Sequence, residues 1–415
     1  MYRRNLRILV VKYAVVGLTD LSRESTTFKP LAALARRGHQ VTFLAAATPN
    51  SAGRRDVPRF KLELIRLPKE FPVFSLIFFE FAALWRVIRE IRHSDAIILD
   101  YNSVPVLFPI LFLNRLFSRN PILLLHIETN VVVEGNTLRS LAVSFHDALS
   151  MKLASILFDK IFFSSPMLAE FYRYAYRVSE SKIGVWPNVV EPEFASSVDR
   201  TKVELLRKEL GLSGRLAVLY HGWLSRGRGI IELVEAFKLL KEERVMAVLV
   251  LLGYGPQREN ISKYVHANSL DEIVKLRGPV DHTEVPNYIA ACDVGIVPLP
   301  DNIWWRYQCP IKVLELLSMS KPLIVSDLPA HRWIIGNKPV ALYLKGTDPR
   351  SIADGLREFL HSRDKFDPGA GRTIIEERFT PERVAKYVES QIISLIAMPR
   401  ETLTLQKVDT AKRMG

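Results

Sequence analysis

The sequence has very little cysteine. Two cysteines, Cys292 and Cys309, occur in 415 residues, and they form no metal-ligand spacing. We therefore expect neither a disulfide framework nor a zinc site of the usual pattern. Such low cysteine content is typical of proteins of a reducing compartment. We therefore expect a cytoplasmic protein, at most peripheral at the inner face of the membrane.

Long hydrophobic runs are also missing. The most apolar segments, 71–85 and 104–117, are shorter than the roughly 20 residues that a bilayer span needs, and polar residues interrupt them. The N-terminus has a basic start and an apolar run but no small-residue cleavage site, so we interpret it as a strand and not as a signal peptide. A membrane-spanning helix is not expected.

The third absence concerns nucleic-acid motifs. The chain carries 57 Lys and Arg against 44 Asp and Glu, a net charge of +13 that is spread over both halves. Such a field attracts nucleic acid, anionic lipid headgroups and phosphorylated substrates. No RNA-binding aromatic motif, zinc finger or helix-turn-helix spacing is found, so nucleic acid is not the expected partner.

What the sequence does contain is alternation of short apolar strands with helical segments, in two series. Strands are predicted at 6–11, 40–46, 61–67, 96–99 and 122–127, and again at 216–220, 247–252, 274–277, 294–297 and 323–325. This pattern predicts two tandem α/β domains, each a Rossmann-like doubly wound parallel sheet, facing each other across a cleft.

The prolines of segment 182–194 break the pattern and predict the domain boundary. We expect a first domain at 1–190, a second at 191–381, a helix at about 382–398 and a tail at 399–415.

A glycine-rich segment follows the strand that ends at residue 220. Gly222, Gly227 and Gly229 allow close approach of a ligand, while Arg226 and Arg228 and the free N–H groups of the next helix favour an anion. A diphosphate is the expected ligand. The alternative is a flexible turn with solvated arginines.

The segment LLGYGP, 251–256, is a weaker signal. It places Gly253 and Gly255 after a strand, but it is not a G-x-G-x-x-G fingerprint, which argues against a nicotinamide dehydrogenase. Two interpretations stay open, a tight turn facing the cleft and a turn whose backbone also contacts the ligand.

In the first domain, His126 and Glu128 follow the strand 122–127 at its carboxyl end. An imidazole there could contact a sugar hydroxyl or take part in proton transfer. The alternative is a histidine that is hydrogen-bonded within the core.

Lys312 and Glu315 lie in a short apolar helix, 310–319, that precedes the strand 323–325. They could form an exposed ion pair worth a few tenths of a kcal/mol. The flanking strands instead favour a position at the strand ends, where Lys312 meets phosphate and Glu315 accepts hydroxyls.

In this order, the segments resemble those of the retaining group 1 glycosyltransferases (family 4), which have the GT-B fold. KIGVWPNVVEPEF is similar to the inter-domain PNG segment, HGWLSRGRGIIELVEAF to G-R-L-x-x-x-K-G, VLLGYGP to v-v-G-x-G-p, and PIKVLELLSMSKPLIVSD to L-E-A-M-A-x-G-x-P-V-V-A-S. The resemblance covers most of the chain. FTPERVAKYVESQIISLI resembles the final helices, the last of which usually packs back on the first domain.

The resemblance implies that Glu315 binds the ribose hydroxyls of a nucleotide and that Arg228 binds the diphosphate. It also implies retention of the anomeric configuration and catalysis with no bound metal and no cofactor beyond the nucleotide-sugar donor, because basic side chains neutralise the leaving group.

Three positions depart from the family pattern. Val189 replaces the glycine of the PNG segment. Trp223 replaces an arginine, for which Arg226 is a candidate substitute, and Tyr307 replaces the first glutamate of the E-x7-E pair. Some branches of the family carry a P-x-K-x-x-E helix start, to which 310–315 is similar. We expect Tyr307 to lie in the donor site, where it bears on sugar choice or on catalysis itself.

The sequence as a whole predicts a hexosyltransferase that moves a sugar from a nucleoside diphosphate to an acceptor hydroxyl, in polysaccharide or glycolipid biosynthesis. The first domain should hold the glycan or lipid-linked acceptor. Its basic segment 54–69, followed by the apolar 71–85, suggests peripheral membrane contact, unless 71–88 is simply a core helix. The competing classes are a non-catalytic sugar-nucleotide-binding subunit and a nucleotide-sugar epimerase on the same fold.

Overall fold

The structure, a computed structural model, describes residues 5–16, 27–47, 57–66, 72–117, 121–129 and 137–398. The predicted tail at 399–415 and part of the basic segment 54–69 lie outside the described residues. The chain divides into two compact units. The first unit comprises Met1–Asn188 together with Pro381–Gly415, and the second unit comprises Val189–Thr380.

Strands occupy short aliphatic runs throughout the described residues. They are β1 (Arg7–Val16), β2 (Gln40–Ala47), β3 (Phe60–Arg66), β4 (Ala96–Leu99), β5 (Ile122–Ile127), β6 (Lys160–Phe163), β7 (Ile183–Val185), β8 (Leu216–Trp223), β9 (Ala247–Tyr254), β10 (Val274–Arg277), β11 (Val294–Val297), β12 (Leu323–Ser326) and β13 (Ala341–Leu344).

Helices connect the strands. They are α1 (Phe28–Arg36), α2 (Pro72–Glu90), α3 (Val104–Phe117), α4 (Leu138–Leu157), α5 (Pro166–Tyr176), α6 (Glu193–Ser196), α7 (Arg200–Glu209), α8 (Ile230–Glu242), α9 (Arg258–Ala267), α10 (Val285–Ala291), α11 (Ile303–Arg306), α12 (Ile311–Ser318), α13 (Pro329–Ile335), α14 (Pro349–His361), α15 (Pro368–Arg378) and α16 (Pro381–Ala397). Single 3₁₀ turns lie at Glu180–Lys182, His282–Glu284 and Arg363–Lys365.

Each unit contains one parallel sheet among its described residues. In the first unit the strand order is β3-β2-β1-β4-β5-β6-β7, and in the second it is β10-β9-β8-β11-β12-β13. Both sheets therefore grow outward in two directions from their first strand, which is the doubly wound Rossmann arrangement. The predicted fold class of two Rossmann-like α/β domains is confirmed.

The sheet of the second unit is covered on both faces. Along β8, Ala217 and Leu219 contribute to one apolar cluster, while Leu216 and Val218 contribute to a separate cluster on the opposite face. Successive side chains of a strand point to opposite faces, so burial on both sides requires the continuous apolar runs that the sequence shows.

The helices α2, α3 and α4 of the first unit are long and apolar, but each buries one side only. Phe79, Ala83 and Val87 of α2 are fully buried, whereas Phe81 and Trp85 are each 64% exposed. The segment 71–88 is thus not simply a core helix. Among the described helices, none has the combined length and apolarity that crossing a membrane requires.

The last helix, α16, packs against α1 within the first unit. Its Glu389 is buried and accepts hydrogen bonds from Arg37 Nε (2.6 Å) and from His39 Nε2 (3.0 Å). His39 Nδ1 in turn accepts from the Leu6 N–H (3.1 Å), which leaves the ring proton on Nε2 to face the carboxylate. This network ties α16 to the loop before β2.

We expect Glu389→Ala to lower the free energy of unfolding by about 2 to 4 kcal/mol, because it leaves the buried His39 and Arg37 without their acceptor. Glu382→Ala is the matched control on the same helix. Its carboxylate pairs with Arg36 at 2.8 Å, but both side chains are about half exposed, so the loss should stay below about 1 kcal/mol. Urea denaturation measures both values, and equal losses would contradict the assignment.

Candidate functional site

The candidate site of the second unit lies where the strand order reverses, at the carboxyl ends of β8 and β11. These two strands are neighbours, and their connections leave in opposite directions. In open α/β sheets this switch point is where ligands bind. Gly222 lies at the end of β8, the loop 224–229 leads from there into α8, and α12 runs into β12 next to β11.

Glu315 of α12 is buried and held by two histidines. Its Oε2 lies 2.8 Å from His221 Nε2 of β8, and its Oε1 lies 2.8 Å from His282 Nε2. The His221 side chain is 7% exposed and that of His282 is 29% exposed. The carboxylate is therefore fixed from the core side by His221 and from the more open side by His282.

The electrostatics of Glu315 follow from these contacts. Burial is the largest single influence and acts to raise its pKa, but the hydrogen bonds from His221 and His282 together outweigh it and hold the pKa well below its usual value. Glu315 is thus a carboxylate at neutral pH. A carboxylate has about four lone-pair sites and the two imidazoles use two of them, so Glu315 can still accept two hydroxyls.

Lys312 lies one turn before Glu315 and is also buried. Its Nζ lies 4.0 Å from the centroid of the Tyr220 ring and has no hydrogen-bond partner among the residues that the structure describes. Burial, with a further contribution from the charge of Arg228, lowers its pKa well below the usual value, while Glu315 acts in the opposite direction. A buried amine without an acceptor is costly, and an anion beside it would remove that cost.

The lysine lies against the glycine at the end of β8. Gly222 has a φ of +118°, and a Cβ there would lie 3.5 Å from Lys312 Nζ. The absence of a side chain at Gly222 therefore keeps the space in front of the amine open.

Arg228 supplies the second cation of this region. Its guanidinium lies 4.6 Å from the centroid of the Trp305 ring, and its Nε donates to Ser225 Oγ at 3.2 Å. The ring orients the guanidinium and leaves donors for a ligand. Arg226 is exposed on the same loop. Its role in diphosphate binding stays a prediction.

Gly253 and Gly255 are required by the backbone that lies beside them. Both have left-handed backbone, with φ near +150°. A Cβ on Gly253 would lie 1.9 Å from Gly222 O, and one on Gly255 would lie 2.3 Å from Leu224 O. The close approach of the ends of β8 and β9 therefore accounts for both glycines, and contact with a ligand stays a prediction.

Trp223 and Tyr307, two of the positions that depart from the family pattern, lie on different elements. Trp223 ends β8, is 42% exposed and packs edge-on against Tyr254 at 4.8 Å between ring centroids. Tyr307 is half-buried directly after α11, four residues before the start of α12. Its predicted place in the donor site stays a prediction.

In the first unit, the predicted residues His126 and Glu128 belong to one polar cluster. Lys12 of β1 forms an ion pair with Glu128 and donates to Thr27 Oγ1 at 2.9 Å, and Thr27 Oγ1 donates to Glu128 Oε1 at 2.6 Å. Burial acts to raise the pKa of Glu128, but the combined effect of Lys12 and the other partners is larger and lowers it. The net shift of the pKa is therefore downward. Glu128 is a paired carboxylate.

His126 is buried beside this cluster. Its Nδ1 lies 3.3 Å from Thr27 Oγ1, its Nε2 lies 3.4 Å from Trp186 O, and its ring stacks on Trp186 at 4.6 Å between centroids. Burial lowers its pKa to about 4, so the imidazole is neutral at neutral pH. Both nitrogens face protein atoms, which is the geometry of the core alternative, and the catalytic role of His126 stays a prediction.

Sequence reasoning missed the histidines around Glu315. His221 stands directly before Gly222 at a strand end, a signal that could have been read. His282 lies 33 residues before Glu315 in a loop turn and gives no local signal. His331, fully buried and bonded through Nδ1 to Ser326 O at 2.8 Å, was also not singled out.

No group of three or more His, Cys, Asp or Glu side chains suited to a metal ion occurs among the residues that the structure describes. The second-unit site combines one carboxylate held by two histidines, two basic side chains and several glycines at strand ends. Together with two Rossmann sheets, they define the class of two-domain α/β proteins that bind a phosphorylated ligand at the carboxyl ends of parallel strands.

Comparison with known families identifies the chain within this class. The model described as "Glycosyl transferases group 1" matches residues 202–369, and the model "Glycosyltransferase Family 4" matches residues 31–194. Between them the two matches leave only residues 195–201 of the span 31–369 uncovered. The chain belongs to the group 1 glycosyltransferases.

Two curated relatives match part of the chain. The α-D-kanosaminyltransferase of Streptomyces kanamyceticus is 26% identical over 183 residues, which is 44% of each protein. The putative teichuronic acid biosynthesis glycosyltransferase TuaH of Bacillus subtilis is 30% identical over 120 residues, 27% of this chain and 28% of the relative. The chain thus spans less than half the length of the curated relatives it matches.

Solved structures share the fold over nearly the whole chain. The crystal structure of Anabaena Alr3699/HepE in complex with UDP matches with a TM-score of 0.70 at 14% identity, covering 94% of this chain and all of that one. At this identity the likeness concerns the fold alone, and the fold is of the GT-B type.

Gly253→Ala should lower the free energy of unfolding by at least about 2 kcal/mol, since the new Cβ would overlap Gly222 O and the backbone is left-handed. Gly278→Ala is the matched control, because a Cβ there meets nothing within 4 Å, and its effect should stay within about 0.5 kcal/mol. If denaturant unfolding shows both variants as stable as the parent, the close approach of β8 and β9 is not the reason for Gly253.

The pKa of about 4 for folded His126 predicts a pH dependence of stability. The neutral ring stabilises the fold above the unfolded pKa of about 6.5, and this contribution, up to about 3 kcal/mol, is lost as the pH falls from about 6.5 to about 4. His126→Gln removes the titration, so its unfolding free energy should decline less over this range. Parallel curves for the two proteins in urea titrations would contradict the shift, as would an NMR midpoint of His126 near 6.5.

Proposed function

We propose that the protein is a retaining glycosyltransferase that moves a hexose-type sugar from a nucleoside diphosphate to an acceptor hydroxyl. The observation that carries this proposal is the pairing, on one turn of α12, of a fixed carboxylate and a buried amine without an acceptor. Glu315 offers hydroxyl-binding lone pairs, and Lys312 lacks an anion. A ribose joined to a diphosphate supplies both complements.

In this proposal the donor binds at the carboxyl ends of β8 and β11. Glu315 accepts the two ribose hydroxyls with the lone pairs that His221 and His282 leave available. The diphosphate takes Lys312 and Arg228 as partners, and the open face of Gly222 lets it approach the amine. An anion beside Lys312 would also favour its ammonium form, because an opposite charge raises the pKa of an amine.

The transfer step needs no protein nucleophile. The bond between the sugar C1 and the β-phosphate oxygen breaks, the acceptor oxygen forms a bond to C1 on the same face, and the acceptor proton passes to the departing phosphate oxygen. Arg228 and Lys312 stabilise the negative charge that develops on the leaving group. We propose that this electrostatic stabilisation replaces a bound metal.

The acceptor belongs in this proposal to the first unit, and its class is a glycan or a lipid-linked hydroxyl compound. Its setting is the cytoplasm or the inner face of the membrane. The name of the relative TuaH, which refers to teichuronic acid biosynthesis, supports a polysaccharide-type acceptor. His126 remains the candidate acceptor contact, provided that its ring is released from Thr27 and Trp186.

A second candidate function follows from Trp223 and Tyr307, which replace an arginine and a glutamate of the family pattern. A chain without these groups could bind a sugar nucleotide and not turn it over. Thermal-shift measurements with UDP-, GDP-, ADP- and dTDP-sugars identify the donor, because a ligand of the folded state alone raises the melting temperature. Release of nucleoside diphosphate with an acceptor then supports transfer, binding without turnover supports the non-catalytic subunit, and conversion of the donor without acceptor supports an epimerase.

Glu315→Gln should weaken binding of the stabilising nucleotide about 10- to 100-fold, since a hydrogen bond to a charged group contributes about 1.5–3 kcal/mol. Glu284→Gln is the control, because Glu284 is close in sequence to His282 but is engaged at the surface by Lys202. Isothermal titration calorimetry measures both affinities, and melting curves confirm that both variants fold. An unchanged affinity for Glu315→Gln removes this residue from the site.

A further inference from the structure

The outer sides of α2, α3 and α4 form an unusually apolar surface on the first unit. The six most exposed of its large side chains are Phe81 and Trp85 of α2, Leu116 and Phe117 of α3, and Leu141 and Phe145 of α4, with exposed fractions from 61% to 87%. We call these outer sides the helical face. Soluble proteins rarely leave so many large apolar side chains together in water, and such patches mark interaction sites.

The three helices form one continuous layer. α3 packs against α2 and against α4. Each follows one parallel strand and precedes another, so the three run in the same direction across the sheet. Their inner sides are buried, with Val87 of α2, Leu111 of α3 and Ala154 of α4 each 1% exposed or less. The apolar side chains on the outer sides therefore do not contribute to the hydrophobic core of the unit.

The exposed charges of this layer have one sign. Arg89 of α2, Arg92 directly after it and Lys152 of α4 are exposed. Among the described side chains of the three helices, no acidic one is exposed: Glu80 and Asp147 are buried, and Glu90 is half-buried beside Arg86. The Arg89 guanidinium lies 5.9 Å from the centroid of the Trp85 ring, so a cation and an aromatic ring share one spot on the helical face.

We infer that the helical face docks on an anionic phospholipid bilayer. Aromatic side chains with neighbouring Arg and Lys suit the boundary between headgroups and acyl chains, where rings enter the apolar layer and cations meet phosphates. A second copy of the chain is the other conceivable occupant. A twofold contact would bring the same basic patch to both sides of the interface, where the like charges repel.

This docking does not depend on sugar transfer. The helical face lies in the first unit, and the donor residues Lys312 and Glu315 lie in the second. Vesicle binding therefore tests the docking inference, and release of nucleoside diphosphate tests the proposed sugar transfer, independently of each other.

Flotation with vesicles tests the inference on the full chain. Vesicles of phosphatidylcholine alone are compared with vesicles that contain phosphatidylglycerol, at low and high salt. We expect binding to the anionic vesicles, and weaker binding at high salt because screening shortens the reach of the basic residues. No binding to anionic vesicles, or equal binding to both compositions, overturns the inference.

Surface variants test which face binds. Phe81→Ser, Trp85→Ser and Phe117→Ser together should weaken vesicle binding at least tenfold. Each substitution removes apolar surface that would be transferred from water into the bilayer on binding. All three side chains are exposed, so the melting temperature should be kept. Leu205→Ser with Met246→Ser is the control, since these side chains are each 62% exposed in the second unit and should not affect binding.

Charge reversal provides an independent arm. Arg89→Glu, Arg92→Glu and Lys152→Glu together should abolish the preference for anionic vesicles, while reversal of the exposed Arg200, Lys208 and Arg350 of the second unit should leave it. Sedimentation velocity without lipid addresses self-association. A dimer that the serine substitutions dissociate would assign the helical face to a second copy and overturn the lipid inference.

Discussion

Parallel strand pairing is the constraint on which both units depend. Two neighbouring parallel strands can be joined only by a crossover, and each crossover lays a helix on a face of the sheet. The same constraint collects all carboxyl ends of the strands along one edge. Residues far apart in sequence, such as His221 on β8 and Glu315 on the helix before β12, therefore meet at one place.

The polar groups at these edges are compensated in different ways. The carboxylate of Glu315 accepts hydrogen bonds from two imidazoles, and that of Glu128 in the first unit pairs with the ammonium of Lys12. Burying a charge without such partners costs several kcal/mol. Among the residues that the structure describes, no hydrogen-bond acceptor compensates the buried amine of Lys312, whose Nζ lies over the Tyr220 ring. This difference is why an anionic ligand is the natural complement of α12 and why the cluster around His126 is complete without one.

Local patterns predicted much of the fold and part of the site. The strands from β8 to β12 were predicted within a few residues, and so was α12 with Lys312 and Glu315 on it. The alternative of an exposed Lys312–Glu315 ion pair is wrong, since both residues are buried and the carboxylate bonds to histidines. The histidine partners were not predicted, because a hydrogen bond between residues 33 or 94 positions apart leaves no periodic trace.

Glycines and apolar helices show the same limit. Gly253 was predicted to lie in a tight turn, with contact to a ligand left open, and the atom that forbids a side chain there is Gly222 O on the neighbouring strand. The apolar composition of α2 predicted a helix that could be core or surface. Its hydrophobic residues occur on all sides, so their spacing could not say which side stays uncovered. The packing of α2 against α3 and against β1 decides which of its sides is buried, and in the folded unit Phe79 is buried whereas Trp85 is not.

The sequence by itself determined the two α/β series, the family and the residues at strand ends that could bind an anion, because all three are written in short-range patterns of residue type. The tertiary structure decided which of these groups are compensated. His282 reaches Glu315, no hydrogen-bonding atom of the described part of the chain reaches Lys312 Nζ, and the helical face is left in water. The physical reason is that the cost of a buried charge or an exposed ring depends on its neighbours in space, and the chain brings those neighbours together only when it folds.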